Sequence, residues 1–346
     1  MSAANQHLAA VLPSKGSSLS VTYRPTPKPG PTDILIEVKS IALNPIDVGM
    51  RDIGFAIASY PAIPGSDVAG TVISIGSSVA ADAPQPGTRV AGFAPAFAMK
   101  GDPDYGGFQT RVLVPEANVT PLPEGVSFNE AAMLPMAVYT TWAGWYQLGI
   151  DRATAYDPSE KKGILVWGGS SSIGSSAVQL AKLMGFVVYA TASEKHHEYV
   201  KSLGATRVFD YKSKDVSESI VKAAKADGVE IQLGYDAIGE VQPCLNVLEA
   251  AKGSGVAKLA TSKPIQPDTP TMDGVEVSFI SIPADTKVRT EFFHQAFNVW
   301  LKEKLETKEF VPSPRARVVS GGLEGLNEAL DELKKGVSAT KLVLEL

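Results

Sequence analysis

The chain has 346 residues, a formal net charge of −5, 44% hydrophobic residues and 20% charged residues. This ordinary globular composition has room for two domains, and an acidic balance without a dense Lys/Arg patch argues against a nucleic-acid or anionic-membrane partner. A small-molecule partner is expected. No apolar run approaches the roughly 18 residues of a membrane-spanning helix. The opening Met1-Ser2-Ala3-Ala4-Asn5-Gln6-His7 lacks the basic and apolar regions of a signal peptide, so a cytoplasmic location is expected. The single cysteine, Cys244, leaves no intrachain disulfide and no multi-cysteine zinc site, and reads as a small core residue.

Residues 1–125 are dense in Pro and Gly between short apolar stretches such as Ile34-Leu35-Ile36-Glu37-Val38 and Val68-Ala69-Gly70-Thr71-Val72-Ile73-Ser74-Ile75-Gly76. That is the pattern of a mostly antiparallel β domain without a long helix. From 126 to 285, apolar runs alternate with helical patterns, at Ile164 to Trp167, Val187 to Thr191, Val208-Phe209, Ile231 to Tyr235, Val256 to Ala260 and Val275 to Ile282. The alternation predicts an α/β fold with a doubly wound parallel sheet, and 275–282 has the pattern of an exposed edge strand. Residues 286–346 carry a helix-like Thr290 to Lys304, a strand at Ala316 to Val319, a helix Leu326 to Lys335 ended by Gly336, and a strand Lys341-Leu342-Val343-Leu344. This last part is expected to return to the first domain.

Within the middle region, Ile164-Leu165-Val166-Trp167 runs into Gly168-Gly169-Ser170-Ser171-Ser172-Ile173-Gly174, and a helix is predicted to open at Gly174. A strand, a turn of small residues and a helix N-terminus together make a diphosphate site, although the strict GxGxxG spelling is absent and an ordinary strand-to-helix turn has the same spacing. The next strand ends in Ala192-Ser193-Glu194-Lys195-His196-His197. An NAD site usually has an acidic residue about 20 positions beyond the glycines. Here Lys195 and the Ser193 hydroxyl suit a ribose 2′-phosphate and favour NADPH, while Glu194 to His197 also read as the capped, solvated start of the helix Tyr199 to Leu203.

Several stretches occur in the order of a known family: Ala42-Leu43-Asn44-Pro45-Ile46-Asp47, Pro64-Gly65-Ser66-Asp67-Val68-Ala69-Gly70, Gly106-Gly107-Phe108-Gln109-Thr110-Arg111-Val112, Ser127-Phe128-Asn129-Glu130-Ala131-Ala132-Met133-Leu134-Pro135, Gly234-Tyr235-Asp236-Ala237-Ile238-Gly239 and Lys341-Leu342-Val343-Leu344. With them the chain resembles the medium-chain dehydrogenase/reductase superfamily over essentially its whole length. Within it, the chain resembles the zinc-independent quinone-reductase and enoyl-reductase-like branch, including fungal trans-acting enoyl reductases. The resemblance implies a GroES-like catalytic domain (1–125 and 286–346) split around a Rossmann NADPH-binding domain (126–285), with cofactor and substrate in the cleft between them.

The resemblance also implies roles. Gly168, Gly169, Ser170, Ser172, Ile173 and Gly174 would cradle the diphosphate, Ser193, Lys195, His196 and Tyr211 would surround the 2′-phosphate, and Ile238 would touch the cofactor. Tyr211 reads equally as an exposed strand-end tyrosine. Asn44 and Asp47 either orient the nicotinamide or substrate or hold a turn beside Pro45, and Thr140 either lies beside the nicotinamide or bonds back to the preceding helical turn. Zinc alcohol dehydrogenases of the superfamily place a Cys and a "GHE" His where this chain has Asn44 and Ser66, so no metal site is expected. Without a Lewis acid, the easier chemistry is hydride addition to an activated C=C bond or quinone, and the electrophile is an enone, quinone or enoyl thioester. Secondary metabolism is a fitting setting.

The proton donor departs from the pattern. Related fungal-type enoyl reductases read "NPxDWKM" and then "DYGF", against Asn44-Pro45-Ile46-Asp47-Val48-Gly49-Met50 and Asp52-Ile53-Gly54-Phe55 here. Tyr60 or Tyr139 is the substitute donor, or water is. Phe55, Phe93, Phe97, Tyr105 and Trp145 line a widened apolar pocket or are plain core. The alternatives are a zinc-free NADPH-dependent carbonyl reductase and a non-catalytic NADPH-binding protein, as monomer or homodimer.

Overall fold

The computed structural model describes residues 5–346, so Met1 to Ala4 of the stretch read for a leader lie outside the described residues. The chain opens with β1 (Gln6–Val11), β2 (Ser20–Pro25), β3 (Asp33–Ala42), α1 (Pro45–Ile53), β4 (Asp67–Ile75), β5 (Arg89–Phe93), β6 (Arg111–Pro115), β7 (Val119–Pro121), α2 (Phe128–Ala132) and α3 (Leu134–Leu148). Strands and helices then alternate: β8 (Lys162–Trp167), α4 (Ser172–Leu183), β9 (Val187–Ala192), α5 (His197–Ser202), β10 (Arg207–Asp210), α6 (Val216–Asp227), β11 (Glu230–Asp236), α7 (Val241–Ala251), β12 (Ala257–Thr261) and β13 (Val275–Phe279). The chain closes with α8 (Thr286–Phe293), α9 (Lys302–Glu306), β14 (Arg315–Val319), α10 (Leu326–Lys335) and β15 (Thr340–Glu345).

These elements form two compact units, one running to Met136 and resuming at Asp285–Leu346, the other spanning Ala137–Ala284. In the first, one sheet has the order β14-β15-β3-β4-β5-β7, with β6 also paired to β3. Its core gathers Ile34, Ile36 and Val38 of β3, which period-2 alternation turns to one face, Ile41 beyond the register shift between Val38 and Ser40, and Val68, Val72, Val90, Val112 and Leu344. The chain from 126 to 136 belongs with this unit, because Ala131, Ala132 and Met133 pack on Ala42, Ala69, Ala91 and Val343. Small side chains on both surfaces let α2 lie close to the sheet.

The helix expected from Thr290 to Lys304 spans α8 through α9, and its middle, His294–Leu301, is wound as a π-helix. Wider winding releases carbonyls from the α-helical ladder. The Phe297 carbonyl accepts the Thr120 hydroxyl at 2.8 Å, and Phe293 and Phe297 stack on Phe93 with centroids 5.6 and 6.5 Å away.

The second unit is a parallel sheet of order β10-β9-β8-β11-β12-β13. This is the doubly wound arrangement, whose reversal of strand order lies between β8 and β11. Its central strand β8 is buried on both sides, with Ile164, Leu165 and Val166 all at 0% exposure, as the continuous apolar run requires. The β13 strand pairs with β12 at the end of the strand order and forms an edge. Cys244 is wholly buried on α7, where desolvation holds its thiol well above the usual range. No helix of the described residues is long and apolar enough to cross a membrane.

Candidate active site

In the parallel-sheet unit, the carboxyl ends of the strands collect the candidate residues. β8 ends at Trp167, and Gly168 turns the chain at φ +83°, a left-handed conformation that favours glycine. The Gly168 N–H donates to Thr191 Oγ1 at 2.9 Å and the Gly169 N–H to the Thr191 carbonyl at 2.8 Å, so the end of β9 fixes the turn that leaves β8.

Helix α4 opens at Ser172, two residues before the expected start at Gly174, because the Ser171 hydroxyl caps it and accepts the Gly174 N–H at 3.1 Å. Ser172 and Ile173 are the first helical positions, whose amides have no acceptor within the helix and point along its positive end. Gly174 contributes space rather than an amide: a Cβ there would lie 2.2 Å from the Gly168 carbonyl oxygen. Ser170 lies on the partly exposed side of the turn. The turn fits a diphosphate.

Neighbouring strand ends supply the rest of this surface. Asp210 of β10 pairs with Ala192 of β9, which places Tyr211, 41% exposed, beside the segment Ser193 to His196. Lys195 is exposed, and Ser193 and His196 are half-buried. Asp236, fully buried at the end of β11, accepts the N–H groups of Ile238 and Gly239 at 3.2 and 2.9 Å and the Thr261 hydroxyl at 2.8 Å. The turn so held packs Ile238 over Gly168, where a Cβ would meet Ile238 Cγ2 at 2.7 Å.

On α3, it is the Thr141 hydroxyl that bonds back to the Ala137 carbonyl, at 2.8 Å. The Thr140 carbonyl accepts the Tyr235 hydroxyl at 3.2 Å. Tyr139 is buried, and desolvation pushes its phenol up to about 12.

In the β-rich unit, Asn44 and Asp47 stand at the start of α1, and Asp47 accepts the Asn44 N–H at 2.8 Å. Both are buried, together with Ser66 and Asp67 at the start of β4 and Lys341 of β15. Asn44 Nδ2 donates to Asp67 Oδ2 at 2.9 Å, the Met136 N–H donates to Asp67 Oδ1 at 2.6 Å, and Lys341 Nζ donates to Asn44 Oδ1 and Asp67 Oδ2 at 2.7 Å each. Asp47 Oδ1 and Ser66 Oγ are buried without a hydrogen-bond partner. Burial pushes the Asp47 carboxyl up to about 7; the bond from the Asn44 amide opposes the rise and the charge of Asp67 adds to it.

Tyr60 is not part of this cluster. It packs at the other end of α1, its hydroxyl 2.5 Å from where a Cβ of Gly54 would stand. Of the aromatic residues considered for a pocket wall, Phe93 and Trp145 are core at 1% and 0% exposure, Phe93 stacked on Phe297 and Trp145 tilted against Tyr235. The Tyr105 hydroxyl is engaged by Asp33 at 2.9 Å. Phe97 lies edge-on to Phe93 at 5.9 Å, and Phe55 is half exposed.

Zinc sites are built from Cys, His and carboxylate ligands. No group of three or more His, Cys, Asp or Glu is gathered among the described residues. At the positions that resemble the metal ligands of zinc alcohol dehydrogenases stand an amide and a hydroxyl, and the lysine ammonium is bonded to both Asn44 and Asp67. These residues do not fit a zinc ion.

Sequence reasoning missed Ser171, Thr191, Asp236, Asp67 and Lys341. Ser171 carried a usable signal, a serine three positions before the N–H that it caps. A cavity of about 680 Å³ lies away from all of these groups, at the amino ends of the parallel strands. Its lining includes Lys161, whose ammonium donates to the last carbonyl of α6, that of Asp227, at 3.0 Å.

Two family descriptions match the chain: "Alcohol dehydrogenase GroES-like domain" over residues 30–124 and "Zinc-binding dehydrogenase" over 172–264. A trans-enoyl reductase of Aspergillus flavipes is 46% identical over 345 residues, covering 99% of this chain and 100% of the relative. A second trans-enoyl reductase, from Aspergillus terreus, is 48% identical over 289 residues, 82% of this chain and 95% of the relative. The crystal structure of CurK enoyl reductase shares the fold, with a TM-score of 0.76 at 19% identity over 99% of both chains. The chain therefore belongs to the medium-chain dehydrogenase/reductase superfamily, oxidoreductases that bind nicotinamide cofactors, and it groups there with fungal trans-enoyl reductases.

Proposed function

We propose that the chain is a zinc-independent, NADPH-dependent reductase that passes hydride to an activated C=C bond or a quinone, its electrophile an enone, quinone or enoyl thioester. The observation that carries this reading is the assembly at the carboxyl edge of the parallel sheet. There the Gly168–Gly174 turn, Ile238, and the group Ser193, Lys195, His196 and Tyr211 stand on adjacent strand ends. The names of the Aspergillus relatives support the reaction class.

In this reading the amides of Ser172 and Ile173 receive the diphosphate at the positive end of α4, with Gly168, Gly169, Ser170 and Gly174 keeping side chains out of its way. Lys195 supplies positive charge to the 2′-phosphate, flanked by Ser193, His196 and Tyr211. Ile238 covers the turn, and Thr140 faces the nicotinamide. When bound, the cofactor supplies the hydride. Asn44 and Asp47 serve the acceptor, where charge grows on the carbonyl or quinone oxygen and an N–H or O–H donor stabilises it. The phenol of Tyr139 is the candidate source of the proton and, pushed up to about 12, holds that proton at neutral pH. Asn44 and Ser66 stand where a metal-dependent relative has its ligands, which favours acceptors whose own conjugation delocalises the charge.

A panel of an enone, a quinone, an enoyl thioester and a saturated ketone, each with NADPH and chelator-treated protein, tests the proposal. Conjugated acceptors are expected to exceed the ketone by about 100-fold or more in kcat/KM. Equal or better use of the ketone would make the chain a carbonyl reductase, and binding of NADPH with no acceptor consumed would make it a non-catalytic binder. Either result overturns the proposal.

A further inference from the structure

The last strand carries a buried charge beside Asn44 and Asp67. Lys341 and Val343 share one face of β15, and Val343 packs with Ala42, Ala69 and Ala91 in an apolar cluster. An apolar side chain at 341 would extend that cluster. Instead the strand buries an ammonium, with its side chain 2% exposed, against a fully buried Asp67 carboxylate. Burying a charge is costly unless partners surround it. Here the partners are Asp67 Oδ2 and Asn44 Oδ1, both at 2.7 Å.

This arrangement leaves one orientation for the Asn44 amide. An ammonium only donates, so the atom facing Lys341 is Oδ1; a carboxylate only accepts, so the atom facing Asp67 Oδ2 at 2.9 Å is Nδ2. The oxygen is thereby occupied by Lys341, and one Nδ2 hydrogen is held by Asp67. The second Nδ2 hydrogen is the donor left to the side chain. The backbone of the same residue is fixed by Asp47.

We infer that Lys341 is a positioning residue for the reduction: a built-in cation that neutralises Asp67 and locks the Asn44 amide with an N–H free for the acceptor oxygen. This rests on the reading of Asn44 as a group that serves the acceptor. Lys341 acts through Asn44 and does not itself touch substrate. Replacing it with a neutral side chain frees the amide to turn over and leaves the Asp67 carboxylate without its counter-charge.

The test compares wild type with Lys341→Met, Lys341→Arg and the charge-balanced pair Asp67→Asn/Lys341→Met, all as full-length protein with NADPH. Two readouts are taken: steady-state kinetics with an enone, and hydrogen exchange of the Asn44 side-chain amide by NMR. In wild type one Asn44 Nδ2 hydrogen is expected to exchange slowly and the other fast. In the two Met variants both exchange fast and kcat falls at least about tenfold, while the NADPH dissociation constant stays within about twofold. Lys341→Arg, which keeps the cation, recovers part of kcat.

The paired variant removes both buried charges, so it separates a folding defect from loss of the amide's orientation. A folded Met variant with wild-type kcat, or with the wild-type exchange pattern at Asn44, overturns the inference. If wild type itself reduces no acceptor, the functional proposal has failed. The exchange pattern then still decides whether Lys341 orients Asn44: a pattern that depends on Lys341 upholds the positioning, and one that does not overturns it.

Discussion

Thr191 Oγ1 accepts the Gly168 N–H at 2.9 Å, so the residue near the end of one parallel strand sets the turn that follows its neighbour. Thr191 is completely buried, and its carbonyl holds the next amide, that of Gly169. Removing the hydroxyl in Thr191→Val leaves the Gly168 donor unpaired, at a cost of about 1–3 kcal/mol. Chemical denaturation is expected to show that loss, and NADPH titration a dissociation constant raised by roughly tenfold.

Gly174 faces a harder limit. An alanine Cβ would sit 2.2 Å from the Gly168 carbonyl oxygen, a backbone atom that cannot swing aside, and 2.8 Å from the capping Ser171 hydroxyl. Gly174→Ala is expected to move α4 away from the turn, lowering stability by about 1–3 kcal/mol. NADPH binding should be lost in the same variant, as read by quenching of protein fluorescence.

Lys195 is exposed, in the 3-10 turn Glu194–His196 that follows β9, so its removal should leave the fold intact. A charge-assisted bond to a phosphate is worth about 1.5–3 kcal/mol, or roughly 10- to 100-fold in affinity. Lys195→Ala is therefore expected to weaken NADPH binding by that factor and leave NADH binding unchanged. Equal effects on both cofactors would assign Lys195 to the cap of the following helix instead.

The buried Asp47 carboxyl makes stability depend on pH. Its folded-state value, about 7, lies above the unfolded value of 3.8. Between those limits the folded chain holds a proton that the unfolded chain has released, so this group's contribution is full below the unfolded value and is lost as pH rises to about 7. The loss is at most about 1.4 kcal/mol per pH unit. Urea unfolding of wild type and Asp47→Asn across that window should show a gap between the two that changes in this direction and levels off at higher pH.

Much of the fold was legible in the sequence because burial writes a period into it. The apolar runs of β8, β9, β11 and β12 marked the parallel sheet, and Leu326 to Lys335 with Gly336 marked α10 with its cap. The π-wound middle of the long helix was not legible, and the hydroxyl that its Phe297 carbonyl accepts comes from Thr120, 177 positions away. Such separation hid Lys341 behind its strand motif. Its partner Asn44 is 297 positions distant, and only the folded sheet brings the two together. The turn at Gly168 was visible as a small-residue link between a strand and a helix, whereas Thr191, which holds it, read only as one more β-branched strand residue.

The central claim is conjugate hydride transfer, and isotope placement tests it most directly. NADPH deuterated at the transferring position of its nicotinamide is supplied with an α,β-unsaturated thioester, and the product is analysed by mass spectrometry. One deuterium at the β-carbon of a saturated thioester is the expected result. Deuterium on the former carbonyl carbon, or an undeuterated substrate returned unchanged, would contradict it.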